Sequence, residues 1–596
     1  MITSDPQAVI ADVRTEDTLE RIICTPRSFG ELHVLTGLLR ESLRPIRVQS
    51  SPEGPWLRAF DSDALLVVEN SKVDLRWSAE ARVFAENRAK VKATHPALAE
   101  TVRMLRELGP QHARNMLRGG NGLDVLDDHQ CVNVAAMTAP GSFGLCLFDE
   151  QGAGKTVTLI YAFDRLVANN VIDFAIIVAP KSMVPEWPKD FTTFKGDLYR
   201  VALLTGSRRE KKHILASGPD VIVTNFETVI SFESELRATL QRRRSRTMLV
   251  VDESFYAKNM DAQRTKAIRR LREWCDRAYV LCGTPAPNSP QDLVQQFNIV
   301  DFGITFSGVR IPKDRDASRP IVQQAIQERG LYVRHLKSSV LPDLPVKRFH
   351  RVFVALEPQQ EILYRATLHD LIADLRATDE TTFKRKVTSF LVRRMALLQI
   401  CSNPKGIHLD YTEIPAKLKA LESLLVDLVT VRREKVVVWS FFTRTIEAIV
   451  EKFASLGAVR YDGTVSDVAT RRDAVRRFQE DDETMLFVAN PAAAGAGLTL
   501  HRSRYAVYES MSNQAAHYLQ SLDRIHRRGQ TRDVEYVILL AENTIELLEY
   551  DRLLRKERSA QELLGDEVSD VVTRDAMLGE LLSSLGRVEE KVDARV

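Results

Sequence analysis

Gly152, Ala153, Gly154, Lys155 and Thr156 sit in the string LCLFDEQGAGKTVTL, residues 145–159. Small residues let successive amide N–H groups curl around phosphate oxygens, and a helix that follows adds the positive end of its dipole. Lys155 can reach the β- and γ-phosphates, and the Thr156 hydroxyl suits a magnesium ion. Asp149 stands where the generic phosphate-loop pattern has its first glycine and is counted with the loop among the nucleotide-binding residues; an ordinary Gly-containing strand-to-helix turn would leave a similar string. Asp252 and Glu253 follow the apolar run MLVV. Asp252 can hold the magnesium through water, and Glu253 can orient and deprotonate an attacking water. An N-cap acid pair opening a helix at Ser254 is the alternative. Gln130 could pair with an adenine edge, since its amide both donates and accepts, although surface glutamines are common. Arg524 and Arg527 lie in QSLDRIHRRGQ, residues 520–530, and are expected on one face of a helix over 514–526. Their guanidinium forks suit the charge that develops on a γ-phosphoryl group; a solvated basic helix is the bland counterpart.

Bringing these groups together needs two alternating α/β blocks. Strand-like apolar runs at 145–148, 174–179, 198–204, 221–224, 248–251 and 278–282 alternate with helical stretches. Polar strings such as PKSMVPEW, NFETV, DES and GTPAPN follow the runs. That pattern predicts a mostly parallel sheet with helices on both faces and ligand loops at the carboxyl ends of the strands. A second block starts at Lys435 with KVVVWSFF and continues through NPAAAGAGLTL and YAVYES to a strand over 535–540. Two lobes facing across a cleft are expected. Upstream, short strands are expected at 66–68 and 73–77 with a turn at Asn70 and Ser71, then helices over 79–91 and 97–108. The expected division is an accessory module over 1–118, a first lobe over 119–300 and a helical linker over 301–430. A second lobe over 431–555 and a helical brace or partner-binding segment over 556–596 complete it.

Composition supports a globular chain of several domains. Of 596 residues, 44% are apolar and 27% charged, so large cores can form. The net charge of +3 neither demands nor excludes a polyanionic partner, though basic clusters occur at 208–212, 242–246 and 524–528. The six cysteines form no C-x2-C pair and the twelve histidines have no ligand spacing, which argues against structural zinc and for a reducing compartment. The opening residues carry acidic side chains and no apolar h-region, and no run reaches the eighteen apolar residues of a membrane span. A soluble cytoplasmic protein is expected.

The ordered strings DEQGAGKT, APKSMVPEW, TNFE, DES, GTPAPN, VVVWSFF, AAAGAGLTL and QSLDRIHRRGQ resemble the Snf2 family of superfamily 2 helicase-like ATPases. LPDLPVK and MALLQICSNP resemble strings found between that family's lobes, so the likeness covers roughly residues 123–555. The resemblance implies an α/β fold of two RecA-like lobes with parallel sheets flanked by helices. It also implies ATP and magnesium as cofactors, double-stranded DNA as partner, and translocation on duplex DNA without true strand separation, in a nucleoid-associated setting.

Residue by residue, the resemblance assigns Gln130 to the adenine side, Lys155 and Thr156 to phosphate and magnesium, and Asp252 and Glu253 to the acidic pair. Gly283 and Thr284 couple nucleotide to DNA. Gln520, Arg524 and Arg527 form the closing motif, with Arg527 the preferred finger. Backbone DNA contacts fall to Lys181, Ser182, Thr224 and Asn225 on the first lobe and to Ser440, Gly497 and Thr499 on the second. Three strings depart from the family pattern. Asp-Glu-Ala-His is here Asp252, Glu253, Ser254, Phe255, which puts the strength of DNA coupling in question. DEMGLGKT has become DEQGAGKT, a mild change, and Trp-Asn-Pro has become Met511, Ser512, Asn513. A compact prokaryotic or viral form is expected, in DNA repair, transcription recycling or anti-phage defence, with targeting by this chain or by a protein partner. A strand-separating DNA or RNA helicase and a nucleotide-gated DNA clamp with weak hydrolysis remain alternatives.

Overall fold

A computed structural model describes residues 9–15, 22–41, 46–51, 54–59, 65–67, 73–119, 123–243, 246–283, 285, 290–312, 314–341, 343–465, 467–493, 498–512, 515–562, 577–578 and 581–582. The chain divides into two compact units, the first over Met1–Val340 and the second over Leu341–Glu562, with Met577 and Leu581 belonging to the second.

The first unit opens with five strands: β1 (Val9–Thr15), β2 (Ile22–Pro26), β3 (Ile46–Ser51), β4 (Gly54–Ala59) and β5 (Val73–Trp77). They form one sheet in the order β3-β4-β2-β1-β5, antiparallel except where β1 meets β5. The expected strand at 73–77 is present; 65–67 is helical instead, and the turn at Asn70 and Ser71 lies outside the described residues. The two helices expected over 79–91 and 97–108 are one element, Ala79–Met116, with Pro96 and Pro110 inside it. Its backbone leaves helical geometry only at Gly109, where φ is 73°. Val91, His95, Leu98, Val102 and Leu105 stay buried on both sides of Pro96, so one continuous packed stripe outweighs a helix cost of about 3 kcal/mol for the proline.

Seven parallel strands make the first lobe: β6 (Gly144–Leu147), β7 (Phe174–Ala179), β8 (Val201–Leu203), β9 (Val221–Asn225), β10 (Thr247–Asp252), β11 (Arg277–Leu281) and β12 (Tyr332–Val333). Their order is β12-β6-β11-β10-β7-β9-β8. Helices cover both faces, which is why the central strands β6, β7 and β10 read as unbroken apolar runs. The edge strand β12 pairs with β6, so this sheet extends past the boundary expected at 300. Two residues of strand are too few to show a period in the sequence.

The second unit holds β13 (Lys347–Val354), β14 (Val436–Trp439), β15 (Ala458–Tyr461), β16 (Leu486–Ala489), β17 (Tyr505–Tyr508) and β18 (Val534–Ala541), all parallel in the order β13-β18-β17-β14-β16-β15. Here too the sheet recruits a strand from the expected linker, because β13 precedes residue 431 and pairs with β18 along its length. The helices Pro358–Ala377 and Glu380–Ser402 pack through Leu368, Leu371, Phe383 and Leu397 onto a cluster that includes Ile545, Met577 and Leu581. The rest of the terminal segment over 556–596 lies largely outside the described residues.

Candidate active site

The phosphate string forms the strand-loop-helix unit that its composition calls for. β6 ends at Leu147 and the helix Lys155–Ala168 begins just past Gly154. Gly152 and Gly154 have φ of 86° and 81°, a left-handed geometry that side chains disfavour, and a Cβ on Gly154 would lie 2.2 Å from Gln130 Nε2. The backbone at 154 therefore favours glycine, and a side chain there would also displace the Gln130 amide. Lys155 is buried, and its ammonium donates to the carbonyls of Asp149 at 2.9 Å and Glu150 at 3.2 Å. Thr156 occupies the first turn of the helix and is half-buried.

Two residues assigned to the nucleotide are occupied within the chain. The Asp149 carboxylate is fully buried; it accepts from Asn133 Nδ2 at 2.6 Å and from the His335 amide at 2.9 Å, and its Oδ1 lies 2.9 Å from His335 Nδ1. It ties the loop to the segment after β12, and only its main chain faces Lys155. Gln130 accepts from the Asp127 amide at 2.9 Å in a capping box and donates to the Gly154 carbonyl at 3.4 Å. Its amide supports the phosphate loop from below, so an adenine contact would exchange these bonds for others.

Asp252 ends β10 and Glu253 follows it in a left-handed conformation with φ of 48°. The Glu253 amide donates to Asp252 Oδ1 at 2.9 Å and the Trp187 indole N–H donates to Asp252 Oδ2 at 3.2 Å. Burial first, and then the neighbouring Glu253 charge, push the Asp252 carboxyl up to about 7, against the pull of Lys155. Glu253 is 2% exposed; its Oε1 accepts from Gln151 Nε2 at 3.2 Å, and its buried Oε2 has no hydrogen-bond partner. Ser254 donates to Gln296 Oε1 at 2.6 Å, and Gln296 donates to the Pro285 carbonyl. A polar path from the acidic pair towards Gly283 thus exists although Phe255 carries no polar group. Phe255 stacks on Tyr256 with ring centroids 4.4 Å apart. Thr284 lies outside the described residues.

Residues the sequence reading had not assigned to the site enter beside the loop from the segment after β12. The ladder between β12 and β6 runs on, with the Glu150 amide donating to the His335 carbonyl at 3.0 Å. The Lys337 amide donates to Glu150 Oε2 at 2.6 Å. Lys337 is 5% exposed, and a Cβ on Gly152 would lie 3.4 Å from its Nζ, so a second ammonium caps the loop. Gln151 and Trp187 lie inside motif strings, whereas His335 and Lys337 lie a few residues before LPDLPVK and carried no motif signal of their own.

The arginine motif corrects the helical expectation. The helix is Ala515–Leu522, and Arg524 and Arg527 lie in the turns beyond it. Side chains intercept the helix's last carbonyls: Arg524 Nε donates to Gln520 O at 2.9 Å and Tyr536 donates to Leu522 O at 2.6 Å. Both arginines donate to the Leu498 carbonyl, Arg524 at 3.2 Å and Arg527 at 3.1 Å. Arg527 also donates to Thr499 Oγ1 at 2.6 Å. Gln520 and Arg524 are buried, whereas Arg527 is half-buried.

The DNA candidates divide by exposure. Lys181 is exposed and Ser182 half-buried just beyond β7, and Asn225 is half-buried at the end of β9, where its carbonyl oxygen caps the next helix through the Thr228 amide at 2.8 Å. Thr224 is 1% exposed, with a buried hydroxyl that has no partner. Ser440 is fully buried and donates to Glu509 Oε2 at 2.7 Å, so its hydroxyl is not presented to a ligand here. Gly497 lies outside the described residues.

Comparison with known proteins adds to this geometry. Residues 127–406 match the SNF2-related domain and residues 416–529 the helicase conserved C-terminal domain. The chain is 27% identical over 416 residues to the SWI/SNF-related matrix-associated actin-dependent regulator of chromatin subfamily A-like protein 1 of Xenopus laevis, covering 67% of this chain and 40% of that protein. It is 28% identical over 466 residues to the putative ATP-dependent helicase/translocase YwqA of Bacillus subtilis, covering 73% of this chain and 49% of that one. The chain thus spans less than half the length of either relative. The Sulfolobus solfataricus SWI2/SNF2 ATPase core in complex with dsDNA is similar over 75% of this chain and 97% of that one, at 21% identity and a TM-score of 0.35.

Proposed function

Since the chain belongs to the Snf2 family of helicase-like ATPases, we propose that it hydrolyses ATP under stimulation by DNA and uses the energy to translocate along the duplex without separating its strands. The observation that carries the reading is the pairing, in one sheet, of a left-handed glycine cradle with a buried glutamate whose Oε2 has no partner. The cradle and Lys155 suit a polyphosphate, and a bare buried carboxylate oxygen is the acceptor that an attacking water needs.

The residues present fit magnesium as well. Thr156 and Asp252 would hold it, and the ion would neutralise charge on the β- and γ-phosphates. Glu253 Oε2 takes the proton of the attacking water. Lys155, released from the Asp149 and Glu150 carbonyls, neutralises phosphate charge. Arg527, with Arg524 supporting the same carbonyl, stabilises charge developing on the transferred phosphoryl group. Lys181, Ser182 and Asn225 are assigned to the DNA backbone, which they can hold without reading bases.

The test measures ATP turnover with and without blunt duplex DNA, together with displacement of a triplex-forming strand. Duplex-stimulated turnover with displacement supports the motor. Folded protein with no turnover under either condition sinks it, and unwinding of forks without triplex displacement replaces it with the strand-separating helicase. A DNA-independent rate with nucleotide-dependent DNA retention replaces it with the clamp.

A further inference from the structure

The substitution of glutamine for methionine in DEQGAGKT reads as mild in the sequence, yet it places an amide between two functional strings. We propose that Gln151 is a positioning residue for hydrolysis, fixing the Glu253 carboxylate and linking it to Gly283. This rests on the ATPase reading above. Gln151 Nε2 donates to Glu253 Oε1 at 3.2 Å. On the other side of the same amide, a Cβ on Gly283 would lie 2.6 Å from Gln151 Oε1 and 3.0 Å from the main-chain nitrogen of Gln151. The amide oxygen therefore packs on the bare Cα of Gly283, and only glycine fits there without displacing it.

A glutamate's terminal torsion is broad and nearly two-fold, so an unassisted carboxylate presents either oxygen. One fixed donor removes that equivalence. With Oε1 taken by Gln151, Oε2 is the oxygen left to accept a proton, and it is the one that is buried without a partner. The rest of the residue is already constrained, since its backbone sits at φ of 48° and its amide is bound to Asp252 Oδ1. Methionine at 151 would match the length of glutamine and lack the donor. Asparagine would keep the amide and fall one methylene short. The phosphate loop thus sets the base directly, and movement of the Gly283 string would reach Glu253 through one side chain.

The experiment compares full-length wild type, Gln151→Met and Gln151→Asn for duplex-stimulated kcat and KM and for equilibrium ATP affinity. Losing one charge-assisted bond to the base predicts a fall in kcat of roughly tenfold for Gln151→Met, with KM and affinity within about twofold of wild type. Gln151→Asn should fall similarly, because its amide stops one methylene short of Glu253 Oε1. Wild-type kcat in Gln151→Met, or a change confined to KM or affinity, overturns the assignment. If Gln151→Met fails to fold by thermal melting, Gln151→Asn decides by the same criteria. Wild type without turnover would instead overturn the ATPase reading itself.

Discussion

Trp187 donates its indole N–H to Oδ2 of Asp252 at 3.2 Å, and the ring is almost fully buried among Phe191 and its neighbours. The other carboxylate oxygen is held by the Glu253 amide, so the acid assigned to magnesium is oriented from two sides before any ion arrives. Second partners of this kind fix the direction of a metal-binding carboxylate. Trp187→Phe keeps an aromatic ring and removes only the donor. It should raise the magnesium concentration needed for half-maximal turnover roughly tenfold, with a small change in melting temperature. Trp187→Ala should cost about 3–5 kcal/mol of stability from lost burial together with the cavity it leaves. Magnesium titrations of turnover beside thermal melts separate the two.

Legibility in the sequence follows how local each requirement is. The glycine cradle, Lys155 and the acidic pair answer to neighbours within a few residues, so strings betray them. Trp187 meets an acid 65 residues away, and His335 meets Asp149 across 186 residues, distances over which no periodicity carries information. Asp149 itself looked like a nucleotide contact because it sits in the motif, yet Asn133 and His335 occupy its carboxylate. The continuation of the helix to 526 was misread because apolar spacing persists beyond Leu522. The carbonyls at the end of the helix are taken by Arg524, four residues on from Gln520, and by Tyr536 of β18, and the second of these is a tertiary contact. The run 349–354 reads as strand-like, but nothing local assigns it to the second sheet, and Arg348–Phe353 are exposed, as an edge strand allows.

Lys155→Ala and Glu253→Gln should both abolish turnover, for different reasons that binding distinguishes. Lys155 contributes charge to the phosphates, so its removal should weaken ATP affinity by roughly tenfold or more. Glu253→Gln keeps the shape of the residue and removes the proton acceptor, so ATP should still bind at close to wild-type strength. Equilibrium binding of a fluorescent ATP analogue to each variant checks this. Equal affinity loss in both would contradict the separation of roles.

Arg524 and Arg527 share the Leu498 carbonyl, yet their surroundings predict different outcomes. Arg524 is 3% exposed and also holds Gln520 O, so Arg524→Ala strands the buried Gln520 carbonyl at a cost of about 1–3 kcal/mol, while Leu498 O keeps Arg527. Its melting temperature should fall along with its activity. Arg527 is half-buried and its second partner is the Thr499 hydroxyl. Arg527→Ala should lower kcat by roughly a thousandfold, in line with arginine fingers elsewhere, while the melt shifts little. Single-turnover hydrolysis and calorimetry on the two variants test the division.

Lys337 places a second ammonium over Gly152, on the stretch that leads out of the first unit. A cation so close to the amide nest adds to the attraction for a polyphosphate. Lys337→Gln should therefore weaken ATP and ADP binding by a few-fold to roughly tenfold, and Lys337→Arg should restore most of the loss. Adenosine, which has no phosphate, should bind both forms alike. Isothermal titration with the three ligands reads the dependence on phosphate, and equal effects on adenosine and ATP would assign Lys337 a purely structural part.

Glu273 lies where the long N-terminal helix meets the first lobe, with Asn87 Nδ2 donating to its carbonyl at 2.6 Å. Its carboxyl is 2% exposed, and Oε1 is buried without a hydrogen-bond partner. Burial raises this carboxyl from its ordinary 4.5 to about 8, opposed by Arg269 and assisted by Glu80. The folded state therefore binds more protons than the unfolded chain between these two values. Stability contributed by Glu273 is full below about 4.5 and is lost as pH rises through about 8. Glu273→Gln keeps the neutral shape at every pH. The melting temperature of Glu273→Gln minus that of wild type should be near zero in mild acid and grow steadily more positive up to about pH 8. Calorimetric melts of both proteins across that range measure the difference, and a constant offset would mean that Glu273 does not change ionisation on folding.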